Sequence, residues 1–460
     1  MEGESKEHLV DVTRNINGET VSWGAPEIQA EDKAEYPSAG HAHHGLTVIT
    51  ACLFIAGEMA GSGVLALPRA VENSGWFGLV MIFVCCLISG YCGVLLGQCW
   101  IILQERWEEY RSDTRDPYTS IGVRAMGKVG KYSVSFANNV QLFGVGVVFL
   151  LLAAENIQSL AENIGHTEIS FCYWNLLIAG FLTPFTWLGT PKDFWPIAMG
   201  AMGATAIACV ILTANLIVDH NQVSSVTVRH DPVGFTSFFM AFGTILFAFG
   251  GLSVFPTIQH DMKKPKEFWK SVTIGYSIVL CMYIPVSAVA YFFLGHKLDD
   301  NILRSVTPGP MLYIVEILLT LHLMMGLVLV LNPFLQELEE IFRVPNKFGW
   351  KRCLLRTCVM ACVLFVTESI PHFGAILSLV GGSTVTFTTF ICPPFFYLRL
   401  CAMKGDWKEK FVPLHVKVMC WEIILIGLIG GIASTYSAIL HLANTFVPPC
   451  YVNITAADAA

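Results

Sequence analysis

The chain has 460 residues, of which 54% are hydrophobic and only 14% charged, against about 25% charged in an ordinary soluble domain. A net charge of −7 without a basic block excludes a nucleic-acid binder, and fifteen cysteines in this length are too sparse for a secreted disulfide scaffold. The apolar residues come in blocks of about 20, the length a helix needs to cross a bilayer. The sequence therefore reads as an all-α integral membrane protein.

Residues 1–45 are polar and carry Pro26 and Pro37, with no apolar stretch ahead of a small-residue cleavage site. They read as a disordered cytosolic tail rather than a signal peptide, and His41, His43 and His44 as solvated tail residues. Eleven transmembrane helices follow, at roughly 46–69, 76–103, 133–157, 174–190, 194–218, 234–258, 269–294, 311–334, 351–369, 372–398 and 416–441. Residues 442–460 form a short external tail. With the N-terminus in the cytosol, 24 of the 28 lysines and arginines fall on the inner side, leaving Arg69, Arg229, Lys297 and Arg304 outside. This is the asymmetry the positive-inside rule describes. The C-terminus then lies outside, where Asn453-Ile454-Thr455 forms a glycosylation sequon. Cys172 and Cys450 also fall on that oxidising side and are candidates for a disulfide, although spacing says nothing of their distance. Trp76, Trp100, Trp107, Trp195, Trp269 and Trp421 fall near span ends, where aromatic belts occur.

Two spans contain glycine and proline in a matched pattern. Span 1 reads Gly57-Glu58-Met59-Ala60-Gly61-Ser62-Gly63 and reaches Pro68; span 6 reads Phe247-Ala248-Phe249-Gly250-Gly251 and reaches Pro256. In each, glycine is followed five residues later by proline, and the two spans lie five apart. Glycine- and proline-interrupted spans at corresponding positions of two halves point to a transporter's binding site. Five spans being an odd number, the second half (234–398) enters from the opposite face to the first (46–218), so the repeat is inverted; span 416–441 is an extra helix. An unwound Gly61-Ser62-Gly63 frees N–H groups at a helix start, which favour an anion. An unwound span 6 frees carbonyls of Phe247, Ala248 and Phe249 for a cation. Together they fit a zwitterion such as an amino acid. The competing reading is that such glycines serve close helix packing, as Gly144, Gly146, Gly427, Gly430 and Gly431 do in other spans.

At these residues the sequence resembles the amino acid/auxin permease family, whose fold is the inverted five-helix repeat of the bacterial leucine transporter. Span 1 matches that family over Gly61-Ser62-Gly63-Val64-Leu65-Ala66-Leu67-Pro68, and span 6 over Phe247 to Gly251 and Phe255 to Pro265. Asn332-Pro333, Ile370-Pro371-His372-Phe373 and Leu377 to Gly381 add to the match, which covers roughly 46–441. The resemblance implies a proton- or sodium-coupled carrier in which Gly61, Ser62 and Gly63 hold the substrate carboxylate and Phe247, Ala248 and Phe249 meet its ammonium. Gly250-Gly251-Leu252 stands where many animal members place a polar or acidic residue, which favours a neutral amino acid.

Ionisable groups at membrane depth are functional candidates by default. Glu58, three residues before Gly61, is either the group that takes up and releases the coupling proton or a carboxyl that shapes the break. His322, in the middle of span 8, is either a proton relay or a neutral packing histidine. Glu155 and Glu316, nearer the outer span ends, are placed to snorkel or gate. Sodium needs hard oxygen ligands, and the inner half of span 8, Leu323 to Leu331, contains no hydroxyl; protons are favoured. No C-x-x-C pair and no Walker loop occur, so no metal, cofactor or ATP use is expected. The resulting expectation is a secondary active symporter for neutral L-amino acids, in the plasma membrane or a lysosomal or vacuolar membrane. The alternatives are a sodium-coupled carrier and an amino acid sensor on the same fold. An intramembrane enzyme would require paired aspartates or a Ser/His pair at membrane depth, which the spans lack.

Overall fold

The structure is a computed structural model that describes residues 45–453 except 113, 115, 168, 189–194, 223–227, 231, 346–347 and 446–447. The expected tail with its three histidines, and Ile454 and Thr455 of the sequon, lie outside the described residues. Among the described residues regular structure is helical throughout, apart from one backbone bridge between Leu46 and Met262.

The order is α1 (Val48–Met59), α2 (Gly63–Ser74), α3 (Phe77–Arg106), α4 (Pro117–Met126), α5 (Lys128–Gly165), α6 (Phe171–Thr186), α7 (Trp195–Gln222) and α8 (Phe235–Ala248). Then come α9 (Phe255–His260), α10 (Phe268–Leu294), α11 (Pro310–Ile341), α12 (Trp350–Ser369), α13 (Phe373–Val380), α14 (Cys392–Ala402) and α15 (Leu414–Asn444). Helices are the open-chain solution that satisfies every backbone group in hydrocarbon. Their outward faces carry Val210, Phe181, Ile429 and Ile432, all more than half exposed, as suits side chains dissolved in lipid.

Helices occupy all eleven expected positions, but eight are long and apolar enough to cross a bilayer by themselves, and the bent pair α1–α2 makes a ninth. The other two are α6, with 16 residues, and α12, which carries Lys351, Arg352 and Arg356 in its first two turns. Two of those cations do not face solvent. Arg352 and Arg356 lie 3.0 and 2.6 Å from the buried carboxylate of Glu339 on α11. Arg356 also donates to the carbonyls of Thr186 and Leu188 at the end of α6, at 2.5 and 3.0 Å. This knot ties α6, α11 and α12. Of the expected aromatic belt, Trp76, Trp269 and Trp421 are exposed, whereas Trp100 is fully buried, edge-on to Tyr110 and His260.

At the opposite end of these helices Cys172, next to the start of α6, is disulfide-bonded to Cys450, beyond α15, with Cα atoms 5.6 Å apart. The packing reading holds for several glycines: a Cβ on Gly146 would lie 2.7 Å from Leu331, and one on Gly430 2.4 Å from Phe242. Helix α13 does not run directly into α14. Two wide π-helical runs, Gly381–Val385 and Phe387–Ile391, join them, a local geometry that recurs at functional sites.

Replacing Arg352 and Arg356 together with alanine strands the Glu339 carboxylate in the interior, so the account expects a loss of about 3–5 kcal/mol, read as a lower melting temperature of the detergent-solubilised chain. An unchanged melting temperature would show that the knot is dispensable.

Candidate functional site

Helix α1 stops at Met59. The Ala60 N–H still reaches Ala56, but the Gly61 N–H turns back to the Met59 carbonyl at 2.8 Å, and α2 leaves at 58° to α1. The N–H groups that open α2 therefore have no carbonyl of a preceding turn to bond. Helix α8 stops at Ala248; the Gly250 N–H bonds the Phe247 carbonyl at 2.9 Å, and Gly251 adopts φ +135°, which a residue with a Cβ rarely reaches. A short 3₁₀ turn, Leu252–Val254, then leads into α9. Both spans break where their glycines stand.

The two breaks touch. A Cβ on Gly63 would lie 2.8 Å from the Cβ of Ala248 and 2.9 Å from the hydroxyl of Tyr283. That hydroxyl, fully buried on α10, sits 2.6 Å from the Met59 carbonyl and 3.1 Å from the Ala248 carbonyl. One donor thus serves a freed carbonyl in each break. On the N-terminal side, the Leu46 N–H donates to the Asp261 carbonyl at 2.8 Å and the Lys263 N–H to the Leu46 carbonyl at 2.9 Å, joining the approach to α1 to the exit of α9.

A cavity of about 40 Å³ lies at the breaks, lined by Glu58, Gly61, Ser62, Gly63, Phe247, Gly250 and Gly251 of the broken spans. Met59 and Ser253 of the same spans, Gln141, Leu142, Val145 and Phe149 of α5, Val330 of α11 and Val385 of the first π run complete the wall. This is room for a few waters, less than an amino acid fills. A larger space beside the disulfide, between α6 and α12, borders none of the residues of the breaks.

The expected residues divide. Gly61, Ser62, Gly63, Phe247 and Gly250 line the cavity, and so does Glu58, whose side chain is exposed and leans on the second break; a Cβ on Gly251 would lie 3.2 Å from its Cγ. Ala248 and Phe249 are not in the wall. The Ala248 carbonyl is taken by Tyr283, and the Phe249 ring turns away to Tyr276 and Tyr283, with centroids 6.2 and 5.6 Å away. His322 sits behind the wall. Its Nδ1 lies 3.0 Å from the Ala201 carbonyl and 2.9 Å from the Thr205 hydroxyl, which fixes the proton on Nδ1, while Nε2 lies 3.3 Å from where a Gly61 Cβ would stand. Glu155 accepts from Asn301 at 3.1 Å. Glu316 does not snorkel; it is fully buried. Asn453 is exposed.

Two further residues escaped the sequence reading. Tyr283 stands in an apolar run with no motif around it. Gln141 could have been flagged as an amide at membrane depth; its Oε1 accepts from the Thr388 hydroxyl at 2.9 Å, and Tyr118 donates to the Thr388 carbonyl.

Residues 44–440 match the family model described as "transmembrane amino acid transporter protein". The chain belongs to this family. It is 25% identical over 419 residues to Amino acid transporter AVT1C of Arabidopsis thaliana, covering 89% of this chain and 72% of that one. It is 27% identical over 414 residues to Lysine histidine transporter-like 6 of the same plant, covering 82% and 90%. Among solved structures it shares the fold of MhsT crystallised with L-phenylalanine (TM-score 0.54, 14% identity, 85% of this chain and 98% of that one). It likewise shares the fold of Mhp1, a nucleobase-cation-symport-1 family transporter (TM-score 0.54, 13% identity, 91% and 98%). The protein is a multi-pass membrane protein of a transporter family, not of an enzyme family.

Gly63→Ala forces a methyl against Ala248 and is expected to cost about 1–3 kcal/mol and to abolish ligand binding at the breaks. Tyr283→Phe removes a donor shared by two buried carbonyls, about 1–3 kcal/mol. Thermal unfolding and equilibrium ligand binding check both; wild-type behaviour of the two variants would mean that contact between the breaks is incidental.

Proposed function

We propose that the protein is a proton-coupled symporter of neutral L-amino acids, working by alternating access around the two helix breaks. The observation that carries the reading is the cavity in which the N-terminus of α2 meets the unwound end of α8. The N–H groups of α2 suit a carboxylate, and the Phe247 end of α8 suits an ammonium. Around them stand Leu142, Val145, Phe149, Val330 and Val385, apolar walls for an uncharged side chain. Family membership and the likeness to a structure crystallised with L-phenylalanine support an amino acid as ligand.

Glu58 is the one charged side chain in the wall. Ionised, it would repel the substrate carboxylate; protonated, it would not, so proton and substrate bind together. His322, with Nε2 turned towards Gly61, is the second candidate for handling that proton. The proposed topology has eleven crossings in two inverted five-helix units plus α15, with α6 and α12 completing the count. The N-terminus is cytosolic, because Cys172, Cys450 and the Asn453 sequon share the side opposite the basic loops, where a disulfide persists.

The test is binding and uptake by proteoliposomes. Wild-type affinity for a neutral amino acid is expected to weaken about tenfold between about pH 5 and pH 8, and Glu58→Gln to bind with no pH dependence. Uptake driven by a sodium gradient alone, or strong displacement by lysine, would contradict the proposal.

A further inference from the structure

We propose that Glu316 is a second proton-binding carboxyl, which allows the disulfide side of the protein to close only while it carries a proton. Its part in the cycle rests on the transport reading; its protonation does not. Glu316 lies on α11 with no exposed surface. The Ser159 hydroxyl of α5 donates to its Oε1 at 2.7 Å, and among the described residues no group hydrogen-bonds the buried Oε2.

The two other buried carboxylates among the described residues show what is missing. Glu339, lower on the same helix, is held by two arginines at 2.6 and 3.0 Å, and Glu72 by Arg69 at 3.0 Å. Glu155, which is half-buried, accepts from the Asn301 amide. Glu316 forms no ion pair among the described residues. At this end of the surrounding elements the titratable and charged groups include Glu155 and Glu162 on α5, His296, Lys297, Asp299, Asp300 and Arg304 before α11, and Tyr313 on α11. Asp219 lies in the last turn of α7, Glu368 in the last turn of α12, and His322 further along α11. A carboxylate stripped of water and given a single neutral donor is too costly to keep ionised. In this closed arrangement the group is the acid.

The surroundings link that proton to movement. One turn along α5 from Ser159, Glu155 and Asn156 are clasped by the Asn301 amide, 3.1 Å from each. The same loop is clamped by Arg69, which donates to the Leu298 carbonyl at 2.8 Å and lies 3.5 Å from the Asp300 carboxylate. Opening this clasp would bring water to Glu316 from the disulfide side. There the carboxylate takes a proton from hydronium, releasing water, and as the neutral acid it can be sealed again. Cavity-lining Glu58 tunes affinity on the other side of the breaks; Glu316 licenses closure.

Infrared titration of the full chain in lipid nanodiscs decides the protonation. At neutral pH the wild type is expected to show a carboxylic-acid carbonyl band that Glu316→Gln lacks and Glu58→Gln keeps. An unchanged band in Glu316→Gln overturns the assignment. Amino acid exchange in proteoliposomes then decides the role. The wild-type maximal rate should fall as pH rises, while Glu316→Gln should hold its maximal rate at every pH with KM within about twofold of wild type, and Glu316→Asp should keep the pH dependence. A Glu316→Gln variant with the wild-type pH profile, or one that binds substrate yet never exchanges it, refutes the licensing role. If the wild type exchanges no amino acid, the transport reading alone fails, because the infrared result stands by itself.

Discussion

A backbone group without a partner inside a membrane has nowhere to go, and the site of this protein follows from that constraint. Each broken span exposes N–H and C=O groups at the depth where water is scarce. The chain resolves the problem by setting the two breaks against each other and adding one shared donor, Tyr283, between the carbonyls of Met59 and Ala248. What remains unsatisfied, the start of α2 beside the end of α8, is then what a zwitterion could satisfy. Binding capacity here is the residue of an incomplete hydrogen-bond ledger.

The same constraint makes the site small and its surroundings mechanical. The cavity has room for water but is too tight for an amino acid, and both approaches to it are tied. On one side a backbone bridge joins Leu46 to Met262; on the other Arg69 and Asn301 hold the loop before α11. Neither tie is a packed core; both are a few hydrogen bonds, the kind of contact that can be exchanged without unfolding a helix. The scaffold that should not move is built differently, from close glycine packing around α15 and from the buried knot of Glu339, Arg352 and Arg356.

Much of this was legible in the residues. The apolar blocks located the helices, and the glycine-to-proline spacing located both breaks, because a φ of +135° at Gly251 and a close approach at Gly63 are demands that only glycine meets. Side chains that work across the fold were not legible. Tyr283 matters because α10 carries it to both breaks, and nothing local marks that. Phe249 was assigned to the ligand from its position in the motif, yet its ring packs on tyrosines. Arg352 and Arg356 look like a cytosolic flank until α11 supplies Glu339. The π-helical runs between α13 and α14 depend on contacts with α8 and α15 that no single segment encodes.

The most direct measurement is the structure of the full chain in nanodiscs, determined by electron cryomicroscopy with a saturating neutral amino acid. The account predicts density between the breaks, with the carboxylate on the N–H groups at Ser62–Val64, the ammonium toward the end of α8, and the cavity enlarged around it. Density in the space beside the Cys172–Cys450 disulfide, with the breaks still closed on each other, would contradict it.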